Sequence, residues 1–294
     1  MTVASKDVHQ CEMETSRNQA QVGERVAFRA RRRPKRIKGV LVDVAGTLYV
    51  GKEALPGCSD ALRRLRESHV QVVFASNSSK ESSATLADKL VRMGLQVGSE
   101  EVYTALEVAK DYVQKKQLRP RLFLQRQAKR WFEEGMELNH EDADAVVLGL
   151  DEEVLSYTNI NQAFRILQRS PAAELIATSR SKYLKVDDGG MDIGLGAFVA
   201  ALEFSTGKSA TITGKPEASF FELGMKKLGT LPEETAVVGD DVHDDVNAGQ
   251  DFGLYGLLVK TGKYQPEDEN GAARPPDATV RDFVAAVDWM LGER

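Results

Sequence analysis

The sequence predicts an α/β protein, with a doubly wound, Rossmann-like parallel sheet as its core and a second α/β unit inserted into it. Three observations carry that reading. From Gly39 onward, short β-branched runs alternate with amphipathic stretches of helical length, the pattern of parallel strands joined by helical crossovers. The same alternation returns near the C-terminal end, so the two ends read as halves of one sheet. Between them, from about Thr104 to Gly207, runs a separate series of apolar segments with no fixed-period repeat, which argues for an insertion rather than an array.

Taken in order, GVLVDV reads as a strand, SDALRRLRES as a helix, VQVVFAS as a strand and KESSATLADKLVRM as a helix. The unbroken apolar runs Val40 to Val44 and Val72 to Ala75 suit strands covered on both faces. RLFLQ, DAVVLGL, YTNINQAFRILQ and ELIATS belong to the insertion. The closing half runs through ATIT, the helical PEASFFELGMKKLG, the strand TAVVGDD, DVNAGQDFG, the strand YGLLVK and the amphipathic RDFVAAVDWML. The domain boundaries that follow are an N-terminal extension over 1–37, a core over 38–103 and 208–294, and an inserted domain over 104–207.

The extension is polar and ends in Arg31, Arg32, Arg33, Pro34, Lys35 and Arg36, a composition expected to be disordered. Such a cluster reads as a solvated tail, or as a nuclear or organellar address. Asp7, Glu12, Glu14 and Glu24 do not suit a transit peptide. With 42% hydrophobic and 28% charged residues and a formal charge of -5, the chain gives no global reason to expect a nucleic-acid partner. No apolar run reaches bilayer length, so a soluble protein without a membrane partner is expected. Cys11 and Cys58 are the only cysteines; they exclude a multi-bridge framework and fit a reducing, cytoplasmic setting. His9, His69, His140 and His243 are scattered and read as surface or packing residues.

Open parallel sheets carry their ligand sites at the carboxyl ends of the strands, and four polar stations end apolar runs here. Asp43 closes the first strand and is followed by Gly46 and Thr47, where a tight turn can bring backbone amides near an anion. Ser76 and Asn77 close the second strand with a hydroxyl and an amide that either bind phosphoryl oxygens or cap the next helix. Lys215 precedes Pro216 at a helix start, and a lysine there can hold a nucleophilic carboxylate and neutralise a transferring phosphoryl group. The fourth station is GDDVHDD, Gly239 to Asp245, whose crowded carboxylates call for a compensating cation. Mg²⁺ fits, since it takes oxygen ligands and leaves positions for waters and phosphate. A calcium loop is the rival, but the spacing does not match the twelve-residue EF-hand pattern.

In this order the four stations resemble the haloacid dehalogenase superfamily of aspartyl-phosphate phosphatases, over the chain from about Lys38 to its end. The resemblance implies that Asp43 is the nucleophile, Ser76 the phosphate-binding hydroxyl, Lys215 the third-motif lysine, and Asp240 with Asp245 the acidic fourth motif. It implies metal ligation by Asp43, the Ala45 carbonyl and Asp240, with Asp245 in support. Because the interval from Asp43 to Ser76 is short and that from Asn77 to Lys215 holds a whole domain, the insertion resembles a type C2 cap of the NagD-like branch. Strings such as LPGCSDALRRL, SNSSKES, KSATITGKPEASFF, VVGDDVHDDVNAGQ and VKTGKY strengthen that likeness. In the cap, SRSKYLKVDDGGMDIGLG resembles the part that faces the site, which makes Arg180, Lys182 and Tyr183 candidate substrate contacts or else members of a plain surface hairpin. The partner implied is a small phosphorylated substrate or phosphoamino acid, and the family's habit of pairing suggests a homodimer.

One position departs from the pattern. Most members carry a second aspartate two residues after the nucleophile as general acid and base, whereas this chain has Ala45. Acid/base catalysis contributes about 10²–10⁴-fold, or roughly 3–5.5 kcal/mol of barrier. The expected substrates therefore have good leaving groups: pyrophosphate, aryl or acyl phosphates, or phosphoramidates. The alternative that Ala45 supports is a low-turnover protein that binds phosphate or metal.

Overall fold

A computed structural model of the chain describes residue 34 and residues 36–136, 142–185, 191–268 and 274–293. The reading of 1–37 as disordered therefore falls, except for Pro34, Arg36 and Ile37, outside the described residues.

The larger sheet has six parallel strands, in the order Ala278–Val280, Tyr255–Val259, Thr235–Gly239, Gly39–Asp43, Gln71–Ser76 and Val102–Thr104. The Gly39–Asp43 strand is central, with Gly39 in register with Thr235 on one side and Gln71 on the other. Its alternate side chains enter different layers, as a two-residue period requires. Val40 and Val42 pack with Leu62 and Leu65 of the Cys58–Glu67 helix and Phe283 and Val287 of the Phe283–Leu291 helix. Leu41 packs on the opposite face with Phe220 and Phe221 of the Ala218–Leu228 helix. Burial on both faces explains why the sequence shows an unbroken apolar run here rather than an alternating one.

The inserted unit has its own parallel sheet, ordered Ala210–Ile212, Glu174–Ala177, Ala145–Leu148 and Pro120–Phe123. One face packs on the Tyr157–Arg169 and Leu195–Thr206 helices through Ile166, Leu167, Val199 and Leu202. The other packs on the Ala105–Lys115 and Arg126–Glu133 helices through Leu106, Val113 and Phe132. The Ala105–Lys115 helix serves both units, since Ala105 and Val108 pack in the core.

ATIT differs from its sequence reading. Ala210–Ile212 pairs with Glu174–Ala177 in the second sheet instead of joining the core. A three-residue run has a strand period but carries no information about which sheet will accept it. The chain consequently returns to the core at Thr213, whose hydroxyl donates to the Ala105 carbonyl at 3.0 Å where the outgoing chain leaves. Among the described residues, no helix is long and apolar enough to cross a membrane.

Candidate active site

Asp43 is the last residue of the central strand and is buried. Its Oδ1 accepts from Lys215 Nζ at 2.5 Å and its Oδ2 from Thr47 Oγ1 at 3.2 Å. The turn between them is closed by the Gly46 N–H, which donates to the Tyr49 carbonyl at 2.8 Å. Gly46 has φ 91°, and a Cβ there would lie 2.0 Å from Asp240 Oδ2, so both backbone conformation and space require glycine. Ala45 is exposed.

Lys215 reaches the same point from the returning chain. Its main chain is held by Asn77, whose Oδ1 accepts from Lys215 N at 2.7 Å while its Nδ2 donates to the Lys215 carbonyl at 3.2 Å. The ammonium donates to Asp43, to Asp245 Oδ1 at 2.6 Å and to the Ala75 carbonyl at 3.4 Å, which uses its three protons. Burial works against this charge, but Asp245 and Asp43 outweigh it and hold Lys215 well above the ordinary lysine range.

The acidic segment leaves the Thr235–Gly239 strand beside Asp43. Asp241 accepts from the N–H groups of His243 and Asp244, each at 3.0 Å. Its carbonyl accepts from Asp245 at 3.1 Å and Val246 at 3.3 Å, so the chain opens into a wide π-helical turn over Val242–Asn247, a form that recurs at functional sites. That turn aims Asp245 inward, and both Asp245 and Asp240 are buried. Burial, then the Asp43 charge, raises Asp240 to about 7 despite the Lys263 N–H, which donates to its Oδ2 at 2.7 Å. Burial also pushes Asp245 well above the ordinary value; Lys215 opposes this, and Asp43 and Asp240 add to it.

Asp43, Asp240 and Asp245 each offer an oxygen within 4.8 Å of the others, while Lys215 bonds two of them and the Lys263 ammonium, bonded to Asp241, acts on all three only through space. Three carboxylates so crowded are short of positive charge, and a divalent cation with oxygen preference fits that deficit.

Of the residues singled out in the sequence, Asp43, Thr47, Lys215, Asp240 and Asp245 thus meet in one cluster. Ser76 is buried beside it, with Oγ accepting from Ser78 N at 3.2 Å. Asn77, Gly46 and Thr47, expected as phosphate contacts, have other partners: the Asn77 amide is committed to Lys215, the Gly46 N–H to Tyr49 and the Thr47 hydroxyl to Asp43. Short polar side chains at a strand end commonly bond nearby groups, as Asn77 and Thr47 do here. Arg180 makes two hydrogen bonds to Glu203, at 2.8 and 2.6 Å, and is held within the inserted unit. Lys182 and Tyr183 are exposed.

Sequence reasoning missed Thr261 and Lys263, which touch Gly46 and Asp240 from the end of the Tyr255–Val259 strand. The signal was present, since Thr261 and Gly262 follow an apolar run as Gly46 and Thr47 do. Ser79 and Thr178 were also missed. Ser79 Oγ accepts from Leu150 N at 3.1 Å, joining the loop after Ser76 to the inserted sheet, and the Thr178 carbonyl abuts Gly214.

An open parallel sheet with a buried carboxylate–lysine cluster at its carboxyl edge defines the class as an α/β phosphoryl-transfer fold. Residues 40–136 match the haloacid dehalogenase-like hydrolase family, and 212–286 match a second family of haloacid dehalogenase-like hydrolases. The Homo sapiens haloacid dehalogenase-like hydrolase domain-containing protein 2 is 41% identical over 255 residues, 87% of this chain and 96% of the relative. The Xenopus laevis phospholysine phosphohistidine inorganic pyrophosphate phosphatase is 32% identical over 263 residues, 88% of this chain and 96% of that one. The crystal structure of a 4-nitrophenylphosphatase from Thermotoga maritima superposes with a TM-score of 0.80 at 30% identity, covering 86% of this chain and 97% of that chain. The chain belongs to the haloacid dehalogenase-like hydrolases, in their NagD-like branch, and is a phosphatase.

Proposed function

We propose that this phosphatase is Mg²⁺-dependent and hydrolyses small phosphorylated compounds with good leaving groups through a phosphorylated Asp43. The observation that carries the reading is the Lys215 ammonium bridging Asp43 at 2.5 Å and Asp245 at 2.6 Å, beside Asp240 in a buried cluster. A carboxylate held this way is oriented before substrate arrives, and its partner can neutralise charge on the transferring group.

Asp43, Asp240 and the Ala45 carbonyl would hold the metal, with Asp245 supporting them through Lys215. Bound there, a divalent cation supplies Lewis-acid stabilisation of the phosphoryl oxygens. Asp43 attacks phosphorus in line, a P–O bond to Asp43 forms, and the bond to the leaving group breaks with its electron pair going to that group. Water then attacks the same phosphorus, releasing inorganic phosphate and restoring Asp43. Ser76 holds a phosphoryl oxygen in both steps, and the Lys215 charge beside Asp43 offsets the negative charge of the transferring group. The inserted unit acts as a cap that excludes water from the site.

Ala45 sets the substrate class. Its methyl group can neither protonate a departing oxygen nor activate water, so groups that leave as weak bases, or already protonated, are favoured. Pyrophosphate, aryl and acyl phosphates, and phosphoramidates meet that condition. The names of the Xenopus and Thermotoga relatives point the same way.

The test is phosphate release with Mg²⁺ from a panel of alkyl phosphates, 4-nitrophenyl phosphate, pyrophosphate and a phosphoramidate, with Asp43→Asn as control. The last three should exceed the alkyl phosphates, and the control should be at least about 10³-fold slower. A panel led by alkyl phosphates sinks the leaving-group reading, and an active control sinks the nucleophile assignment.

A further inference from the structure

The loop after the Tyr255–Val259 strand has no assigned part in catalysis, yet it touches the site at two points, the Gly46 carbonyl and one oxygen of Asp240. Thr261 Oγ1 donates to the Gly46 carbonyl at 2.6 Å. Two residues on, the Lys263 N–H donates to Asp240 Oδ2 at 2.7 Å. The loop is a tight turn, closed by Tyr264 N to the Thr261 carbonyl at 3.1 Å. Gly262 at its tip has φ 58°, and a Cβ there would come 2.0 Å from Asp240 Oδ2 and 2.6 Å from Gly46 Cα. The side chain of Lys263 extends the grip to the neighbouring residue, with Nζ 3.3 Å from Asp241 Oδ2.

Asp240 Oδ2 is thus enclosed between two glycines and capped by an amide, while Gly46, three residues after the nucleophile, is tied to the same loop. A hydrogen bond that occupies one carboxylate oxygen leaves the other as the natural ligand, and second-layer contacts of this kind orient first-layer oxygens.

We propose that Thr261, Gly262 and Lys263 form a positioning clamp, which fixes the nucleophile turn against Asp240 and makes Asp240 a one-oxygen ligand through Oδ1. This rests on the metal-dependent reading above. The clamp adds no reacting group. It fixes the spacing between Asp43 and Asp240, on which cation affinity and the alignment of attack both depend.

Thr261→Val keeps the side-chain shape and removes the donor, whereas Thr261→Ser restores it. A neutral hydrogen bond contributes about 0.5–1.5 kcal/mol, so Thr261→Val should weaken Mg²⁺ binding by roughly 2–12-fold, read from Mg²⁺-dependent melting of the full chain without substrate. At saturating Mg²⁺, kcat for 4-nitrophenyl phosphate should fall by a similar factor with KM unchanged, and Thr261→Ser should recover most of both. Gly262→Ala, which pushes directly on Asp240 Oδ2, should weaken Mg²⁺ binding more than Thr261→Val and serves if the valine variant fails to fold.

Unchanged Mg²⁺ affinity in Thr261→Val and Gly262→Ala overturns the clamp. So does equal impairment of Thr261→Val and Thr261→Ser, or a wild-type chain whose melting ignores Mg²⁺. A wild-type chain that is stabilised by Mg²⁺ but releases no phosphate sinks the catalytic reading alone, and the affinities of the variants still decide the clamp.

Discussion

The two units differ sharply in the chemistry they bring to the candidate site. At the carboxyl edge of the core sheet, Asp43, Lys215, Asp240 and Asp245 are buried; Lys215 links Asp43 to Asp245 by charged hydrogen bonds, and the Lys263 N–H holds Asp240. From the inserted unit, Leu150 N donates to Ser79 and the Thr178 carbonyl abuts Gly214. Its charged candidates are exposed, and Arg180 is already paired with Glu203. Transferring a phosphoryl group needs charges fixed before the reaction begins, and among the described residues the buried charged cluster is in the core. The inserted unit's candidate groups Arg180, Lys182 and Tyr183 are exposed, so changes there should alter binding before they alter bond making.

The sharpest way to break that contrast is Lys215→Met. Removing the ammonium leaves Asp43 and Asp245 uncompensated, and in metal-free protein this should cost about 3–5 kcal/mol in urea unfolding, with phosphate release falling by at least about 10²-fold. An active, equally stable variant would mean that the cluster is not what organises the site. Next in size is Ala45→Asp, which should raise kcat for alkyl phosphates by about 10²-fold or more while changing phosphoramidate turnover much less. Equal gains on both would remove the argument from the leaving group.

A smaller effect concerns pH. Asp240 rises from an ordinary 3.8 to about 7 on folding, so without metal the folded chain holds a proton that the unfolded chain has released. That contribution to stability is full below the unfolded value and is lost as pH rises through the folded one. On the proposed Mg²⁺-dependent reading, the cation would compete with the same proton. At a hundredfold excess over Kd, Mg²⁺ should raise Tm by roughly 5–10 °C at pH 8 and by clearly less at pH 5.5; equal shifts would exclude Asp240 as the shared group. The smallest expected change is Arg180→Ala, an exposed pair worth about 0.2–1 kcal/mol. It should leave kcat within twofold and act, if anywhere, on KM; a large loss of kcat would move part of the chemistry into the inserted unit.

Much of this architecture is legible in the sequence because periodicity is local. The unbroken run before Asp43 reports a strand buried on both faces, and the crowded GDDVHDD reports a place where charge must be compensated. What stays illegible is pairing across distance. Asn77 meets Lys215 across 138 positions, and nothing in either local pattern distinguishes a phosphate contact from a grip on main chain. ATIT shows the same limit, since three residues specify a strand but not its sheet. The Thr261–Lys263 loop was readable in kind, as small residues ending an apolar run, but its aim at Asp240 depends on which strands lie side by side.

The two hydrogen bonds from Asn77 to the main chain of Lys215 also have a mechanical consequence. They fasten the chain just past Thr213 and Gly214, where it comes home from the inserted unit. A rocking of that unit would pull first on this rivet, anchored in the core at the end of the Gln71–Ser76 strand. Torque would then be absorbed before it reached the ammonium, and Lys215 would keep its place.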